Sequence, residues 1–246
     1  MTTLQGKAAL VTGGSRGIGA AIARRLAADG ADVAITYAGA ADRAAGVVAG
    51  IEALGRRALA IQADSADPAA LTAAIDRAAA AFGRLDILVN NAGIFAHGPI
   101  EDTTLADIDR MLAIHVRAVY VAAQAALRHM GNGGRIVSIG SCLAHRVPHA
   151  GVTLYAMSKS ALTGFTKGLA RDLGPRGITV NVVDPGPTDT DMNPADGPGA
   201  ADQRTLLALD GYGAADDVAA TVAHLAGPGG RFITGASIAV DGGYEA

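Results

Sequence analysis

Tryptophan is absent from these 246 residues and aromatic residues make up only 4% of them, so any core must be built mainly from alanine, valine, leucine and isoleucine. Alanine-rich helices pack closely on a sheet but leave few large side chains to shape a pocket. Cysteine occurs once, at Cys142, which excludes an internal disulfide framework and suits a reducing compartment. Charge is sparse as well. The formal net charge is -3 and no basic block stands out, so nucleic acid is not an expected partner. No uninterrupted apolar run reaches the roughly 18 residues that a membrane span needs. The start, Met1 to Lys7, lacks a basic stretch followed by an apolar one, so no signal peptide and a cytoplasmic location are expected.

What is present is a core. Half of the chain is hydrophobic, and the length fits one large α/β domain over 1–246. Apolar β-type runs at 8–11, 32–37, 58–62, 87–90, 136–139 and 178–183 alternate with helical patterns at 17–29, 42–54, 67–82, 103–130 and 154–173. The 103–130 stretch is long enough for two pieces. Asp67-Pro68 is a helix start, with aspartate at the N-cap and proline at the first helical position. A helix at 215–225 and a strand at 237–240 close the pattern. The alternation predicts an α/β Rossmann fold, a doubly wound parallel sheet of about seven strands with helices on both faces and right-handed crossovers. From Pro185 to Asp202 periodicity fades, which predicts a loop over the carboxyl edge of the sheet; the substrate loop is placed at about 187–212.

Two motifs carry chemistry. Thr12 to Gly19 lies between a strand and a helix, with glycines at 13, 14, 17 and 19. Glycines there permit a tight turn and let the backbone approach a pyrophosphate at the helix N-terminus. The second motif is Tyr155 and Lys159, four residues apart and therefore on one helix face. A phenol titrates near ~10, and a neighbouring cation favours the phenolate, so the pair is expected to exchange a proton near neutral pH.

The end of the second strand discriminates between dinucleotides. A carboxylate about 20 residues past the glycines accepts the ribose hydroxyl of NAD. Here Tyr37-Ala38-Gly39-Ala40 offers no acid, whereas Arg16 in the turn presents a fork of donors to a 2′-phosphate. NADP(H) is therefore expected over NAD(H). No metal is expected: His145 and His149 are four apart, but Pro148 interrupts a helix there and no glutamate lies between them. Cys142 has no triad partners in its neighbourhood.

Taken in order, these marks resemble the short-chain dehydrogenase/reductase family of the compact, roughly 250-residue kind, over almost the whole chain. Thr12 to Gly19 matches TGxxxGxG, Asn90 to Gly93 matches NNAG, Tyr155 and Lys159 match YxxxK, and Asp241-Gly242-Gly243 matches the usual ending. The resemblance implies a cofactor site made of Gly13, Ser15, Arg16, Gly17, Ile18, Gly19, Tyr37, Gly39, Asp64, Ser65, Asn91, Ala92, Gly93, Pro185, Gly186, Thr188 and Thr190, together with Tyr155 and Lys159. It places Asp64 against the adenine and the 186–190 segment along the nicotinamide. It makes Tyr155 the proton donor to a carbonyl oxygen, Lys159 the group that lowers the tyrosine and meets the nicotinamide ribose, and Ser141 the residue that polarises the carbonyl. Ser138 is a rival serine, but Ser141 precedes Tyr155 by 14 residues, close to the family's interval, and Ser138 by 17. One position departs: His115 stands where the family carries an asparagine that fixes a helix irregularity and a water leading to the lysine. His115 is expected either to join a proton relay or to be a satisfied core histidine.

Ile94, Phe95, Leu143, His145, Leu154 and Met192 are the candidates to line a substrate pocket, mostly apolar, as suits a ketone. The leading expectation is an NADPH-dependent carbonyl reductase acting on a small-molecule ketone or its alcohol. Alternatives are a 3-oxoacyl-carrier-protein reductase, with Arg128 and Arg176 toward an acidic carrier, and a non-catalytic regulator that binds a cyclic dinucleotide and influences biofilm dispersal. The resemblance also implies a homotetramer built on the helices at 106–130 and 154–173 and on the C-terminal strand.

Overall fold

The computed structural model describes residues 4–246. Its parallel sheet follows the order β3-β2-β1-β4-β5-β6-β9, from β1 (Ala8–Val11), β2 (Asp32–Tyr37), β3 (Ala58–Gln62), β4 (Ile87–Asn90), β5 (Arg135–Ile139), β6 (Thr179–Pro185) and β9 (Ser237–Val240). The helices are α1 (Gly17–Ala28), α2 (Ala41–Glu52), α3 (Pro68–Phe82), α4 (Leu105–Leu112), α5 (Ala118–Leu127), α6 (Thr153–Leu173), α7 (Ala200–Arg204) and α8 (Ala215–Ala226). Strand order reverses between β1 and β4, and the crevice that opens at such a reversal is where open α/β sheets bind ligands.

Alternation along the strands builds two cores. Ala9, Val11, Val33, Ile35, Ile87 and Val89 pack on α1 and α8, while Ala8, Leu10, Ala34, Leu88 and Ile136 pack on α3, α5 and α6. Burial on both faces explains why these strands read as continuous apolar runs. The α3 start is as expected: Asp67 accepts hydrogen bonds from the Ala69 and Ala70 N–H groups, with Pro68 at the first position.

The long helical stretch falls into two pieces, as its length allows, with a π-helical turn over Ala113–Arg117 between α4 and α5. Two segments depart from the sequence reading. Strand β6 runs on to Pro185, two residues beyond the expected end, because β9 pairs with it as far as Pro185↔Val240. The 185–202 region carries structure of its own: β7 (Thr188–Asp189) pairs with β8 (Gly213–Ala214), and α7 follows. These pieces are too short to leave a period in the sequence.

Candidate active site

A cleft of about 1000 Å³ runs along the carboxyl ends of the strands, from Arg16 and Arg43 beside β1 and β2 to Ser141 and Tyr155 beside β5 and α6. Its floor is the turn between β1 and α1. Gly13 takes φ +63°, and a Cβ there would lie 2.8 Å from the Ala92 backbone, so only glycine fits. A Cβ on Gly19 would lie 2.4 Å from the Asn91 side-chain nitrogen. That nitrogen donates to the carbonyls of Thr12 (2.9 Å) and Gly13 (3.0 Å), while the Thr12 hydroxyl accepts from the Asn91 and Ala92 N–H groups. The NNAG segment thus braces the glycine turn. Helix α1 has no side-chain cap and no acid in its first turn, which leaves its N-terminal N–H groups free for an anion.

At the β1–α1 end of the cleft, Arg16 and Arg43 both reach Asp191, Arg16 at 3.9 Å and Arg43 through a direct hydrogen bond. Two exposed guanidinium groups around one carboxylate show what this corner can hold: an anion such as a phosphate. Arg43 was not singled out from the sequence; its signal is a second arginine just past the acid-free end of β2. Tyr37, Gly39, Asp64, Ser65, Ala92, Gly93, Pro185, Gly186, Thr188 and Thr190 line the cleft. Ser15 does not: it lies on the outer side, in a shallow depression beside Arg24 and Asp216.

At the other end, Ser141 closes β5 and Tyr155 and Lys159 share a face of α6, and all three line the cleft. Ser141 is buried, and its hydroxyl accepts from the Leu143 N–H at 3.2 Å. The rival Ser138 is a fully buried strand residue that accepts a 3.4 Å hydrogen bond from Asn90. Lys159 is buried and donates to the Ile139 carbonyl at 2.8 Å. Burial pulls its ammonium down to about 8, against the opposing charge of Asp184. Its nitrogen sits 5.8 Å from the centre of the Tyr155 ring.

One expectation is overturned here. The lysine does not depress the tyrosine in this structure: burial pushes the Tyr155 phenol up to about 12, with Ser141 pulling the other way. Spacing alone counted the cation and missed the desolvation. Tyr155 is held between ring edges, Phe95 at 5.0 Å and His115 at 5.6 Å between centroids.

His115 sits in the π-helical turn, 1% exposed, behind the cleft rather than in its wall. Its Nε2 accepts from the Ile94 N–H at 3.0 Å, so Nδ1 carries the proton and donates to the Ser158 hydroxyl at 2.8 Å. Ser158 in turn donates to the Tyr155 carbonyl at 2.7 Å. Burial first, then the charge of Lys159, holds the imidazole down at about 3, so it is neutral at working pH. Both nitrogens are committed and neither is free to pass a proton toward Lys159. The geometry corrects the relay reading: His115 ties the segment after NNAG to the helix that carries Tyr155.

Of the pocket candidates, Ile94, Phe95, Leu143 and Met192 line the cleft and His145 and Leu154 do not. The His145 ring turns away, with Nε2 3.3 Å from Asp184 and 3.1 Å from Ser237. His97 and His149 stand in the wall instead, and Tyr244 reaches it from the C-terminal segment. Among the described residues no group of three or more metal-ligating side chains occurs.

A family model described as enoyl-(acyl carrier protein) reductase matches residues 13–245. The chain is 48% identical, over the full length of both, to the cyclic-di-GMP-binding biofilm dispersal mediator protein of Escherichia coli. It is also similar to a short chain dehydrogenase from Burkholderia cenocepacia solved in complex with NADP, at 70% identity and TM-score 0.98 over 99% of this chain and all of that one. A blue fluorescent protein from a metagenomic library, solved with NADPH, matches at 61% identity and TM-score 0.97 over the same shares. The glycine cradle, the Ser141–Tyr155–Lys159 set and these likenesses agree: the chain belongs to the short-chain dehydrogenase/reductase family.

Proposed function

We propose that the protein is a carbonyl reductase that uses NADPH to convert a small or medium ketone to a secondary alcohol, reversibly. The family and its NADP- and NADPH-bound members make it an NADP-dependent oxidoreductase. The observation that carries the finer reading is the convergence of Ser141, Tyr155 and Lys159 at one end of the cleft, beside the apolar wall of Ile94, Phe95, Leu143 and Met192.

The residues present fit the cofactor. The Gly13–Gly19 turn has room for a pyrophosphate against free N–H groups, and Arg16 with Arg43 suits the 2′-phosphate. Asp64 and Ser65 would meet the adenine, and Pro185 to Thr190, which line the cleft except for Asp189, would meet the nicotinamide. When bound, the cofactor supplies the hydride. The chain's own residues handle the proton. Tyr155, pushed up to about 12, keeps its proton throughout the neutral range and is a ready donor to a carbonyl oxygen that gains charge. Ser141 orients and polarises that oxygen. Lys159 supplies a buried positive charge beside the developing phenolate, and the rate of reduction is expected to fall above about pH 8 as that charge is lost.

Two comparisons test this. NADPH and a ketone panel, followed by cofactor absorbance, should show turnover that disappears in Tyr155→Phe; no turnover with any ketone, or turnover surviving that change, refutes it. Faster turnover of 3-oxoacyl thioesters than of free ketones would favour the carrier-protein substrate. A second reading, binding of a cyclic dinucleotide, draws on the 48% identical relative. Tight cyclic-di-GMP binding that competes with NADPH, without ketone turnover, would support it over the reductase. We also propose a homotetramer, in keeping with the exposed Leu105, Tyr120 and Met157 on α4, α5 and α6; a monomeric mass by light scattering contradicts it.

A further inference from the structure

Strand β6 ends in Asn181-Val182-Val183-Asp184-Pro185, all of it buried. A carboxylate at the end of such a strand is costly unless it is hydrogen-bonded. Asp184, 1% exposed, is bonded on both oxygens. Oδ1 accepts from the Ser141 N–H at 3.0 Å. Oδ2 accepts from the Ser237 hydroxyl and lies 3.3 Å from the His145 Nε2. The carboxylate reaches this place only because residue 140 is glycine: a Cβ there would stand 1.8 Å from Oδ1. Gly140 follows Ile139, whose carbonyl holds the Lys159 ammonium.

The reductase reading uses Ser141 and Lys159 but gives Asp184 no part. We propose that Asp184 is a positioning residue of this site: it fixes the Ser141 turn through the backbone N–H and sets a buried negative charge one residue beyond Val183, the register partner of the Ile139 whose carbonyl holds Lys159. The other groups around the lysine do not supply that charge. His115, from the π-helical turn, is neutral, and Tyr155, on the same helix, keeps its proton. On the far side, His145, Asp241 and Glu245 surround the carboxylate from the turn after β5 and from the C-terminal segment. Burial lowers the Lys159 ammonium, and the charge of Asp184 opposes that shift. The inference rests on the reductase reading for its kinetic consequence and on geometry for its electrostatic one.

Asp184→Asn separates the two roles, since the amide oxygen still accepts from Ser141 while the charge is gone. The chain has three lysines, Lys7, Lys159 and Lys167, so carbon-13 NMR of labelled lysine follows Lys159 without any assay of turnover. The Lys159 midpoint should fall by about one pH unit in Asp184→Asn, and the basic limb of kcat/KM should move with it. Asp184→Ala should lower kcat by roughly 10- to 100-fold, with a smaller change in KM, in the native background, and by less than about 3-fold in a Ser141→Ala background, because the group it positions is already gone. Ser237→Ala is the milder companion if Asp184 variants fold poorly; its cost to kcat should likewise vanish beside Ser141→Ala. An unmoved Lys159 midpoint, or an equal kcat cost in both backgrounds, overturns the proposal. A moved midpoint in a protein that reduces no ketone refutes the reductase reading and leaves the electrostatic role standing.

Discussion

At the β1–α1 end of the cleft the groups available to a ligand are backbone N–H groups and arginines whose side chains are more than half exposed; at the β5–α6 end they are the buried Ser141 and Lys159 and the partly buried Tyr155, whose charge is set by their surroundings. The first end depends on shape. A missing Cβ at Gly13 or Gly19 makes the space, and the Asn91 amide holds the turn around it. The second depends on desolvation, which moves Tyr155 up and Lys159 and His115 down. Substitutions at the two ends should therefore fail differently: the cofactor end in affinity and salt dependence, the proton end in rate and pH dependence.

The largest expected contrast is at Lys159. Lys159→Met should lower ketone reduction by about 10²- to 10⁴-fold, the usual scale for loss of proton-transfer machinery. Its folded value near 8 lies below the unfolded 10.5, so the fold carries the cost of a buried charge below pH 8 and is relieved of it between about 8 and 10.5. Removing the charge should thus raise stability near pH 7 by about 1–3 kcal/mol, read by thermal unfolding. A destabilised variant would mean that the lysine is held by packing rather than against a desolvation cost.

Next in size is Gly19→Ala. Its Cβ meets the Asn91 amide, so NADPH binding, read by fluorescence titration, should weaken by about 100-fold or more. The rate at saturating cofactor should change much less. A smaller effect is expected at Arg16. Arg16→Ala should weaken NADPH by roughly 10-fold, leave NADH unchanged and flatten the salt dependence, because the exposed guanidinium, 3.9 Å from Asp191, is the group proposed to meet the 2′-phosphate.

The subtlest test concerns acid. His115 titrates near 3 in the fold and 6.5 when unfolded, so between those values the unfolded chain binds the extra proton. Stability then falls as pH drops through that window, by roughly 1.4 kcal/mol per pH unit. His115→Asn should lose less stability than the native protein between pH 7 and 4, each measured against its own value at pH 7 by urea unfolding. Equal losses would remove the neutral-histidine account.

The cradle was readable from sequence because glycine spacing between a strand and a helix is local, and so were the sheet and the Tyr155–Lys159 face. What escaped depends on neighbours that chain order does not bring together. His145 looked like a pocket residue, but a carboxylate on β6 and a hydroxyl on β9 draw its ring aside. The direction of the Tyr155 shift needed the packing of α6 against β6 and the turn after β5. Asp184 did leave a trace, a lone acid closing an apolar strand, and such a residue in a buried run is a reason to look for its donors.

Ketone reduction as proposed needs Tyr155 as a protonated donor beside a charged Lys159. The direct test is the pH dependence of NADPH-driven ketone reduction in the native protein and in Tyr155→Phe. The rate should be level through neutral pH and fall above about 8 in the native protein, with essentially no turnover in the variant. A rate that keeps rising from pH 8 toward 10, or a Tyr155→Phe enzyme that still turns over, would contradict it.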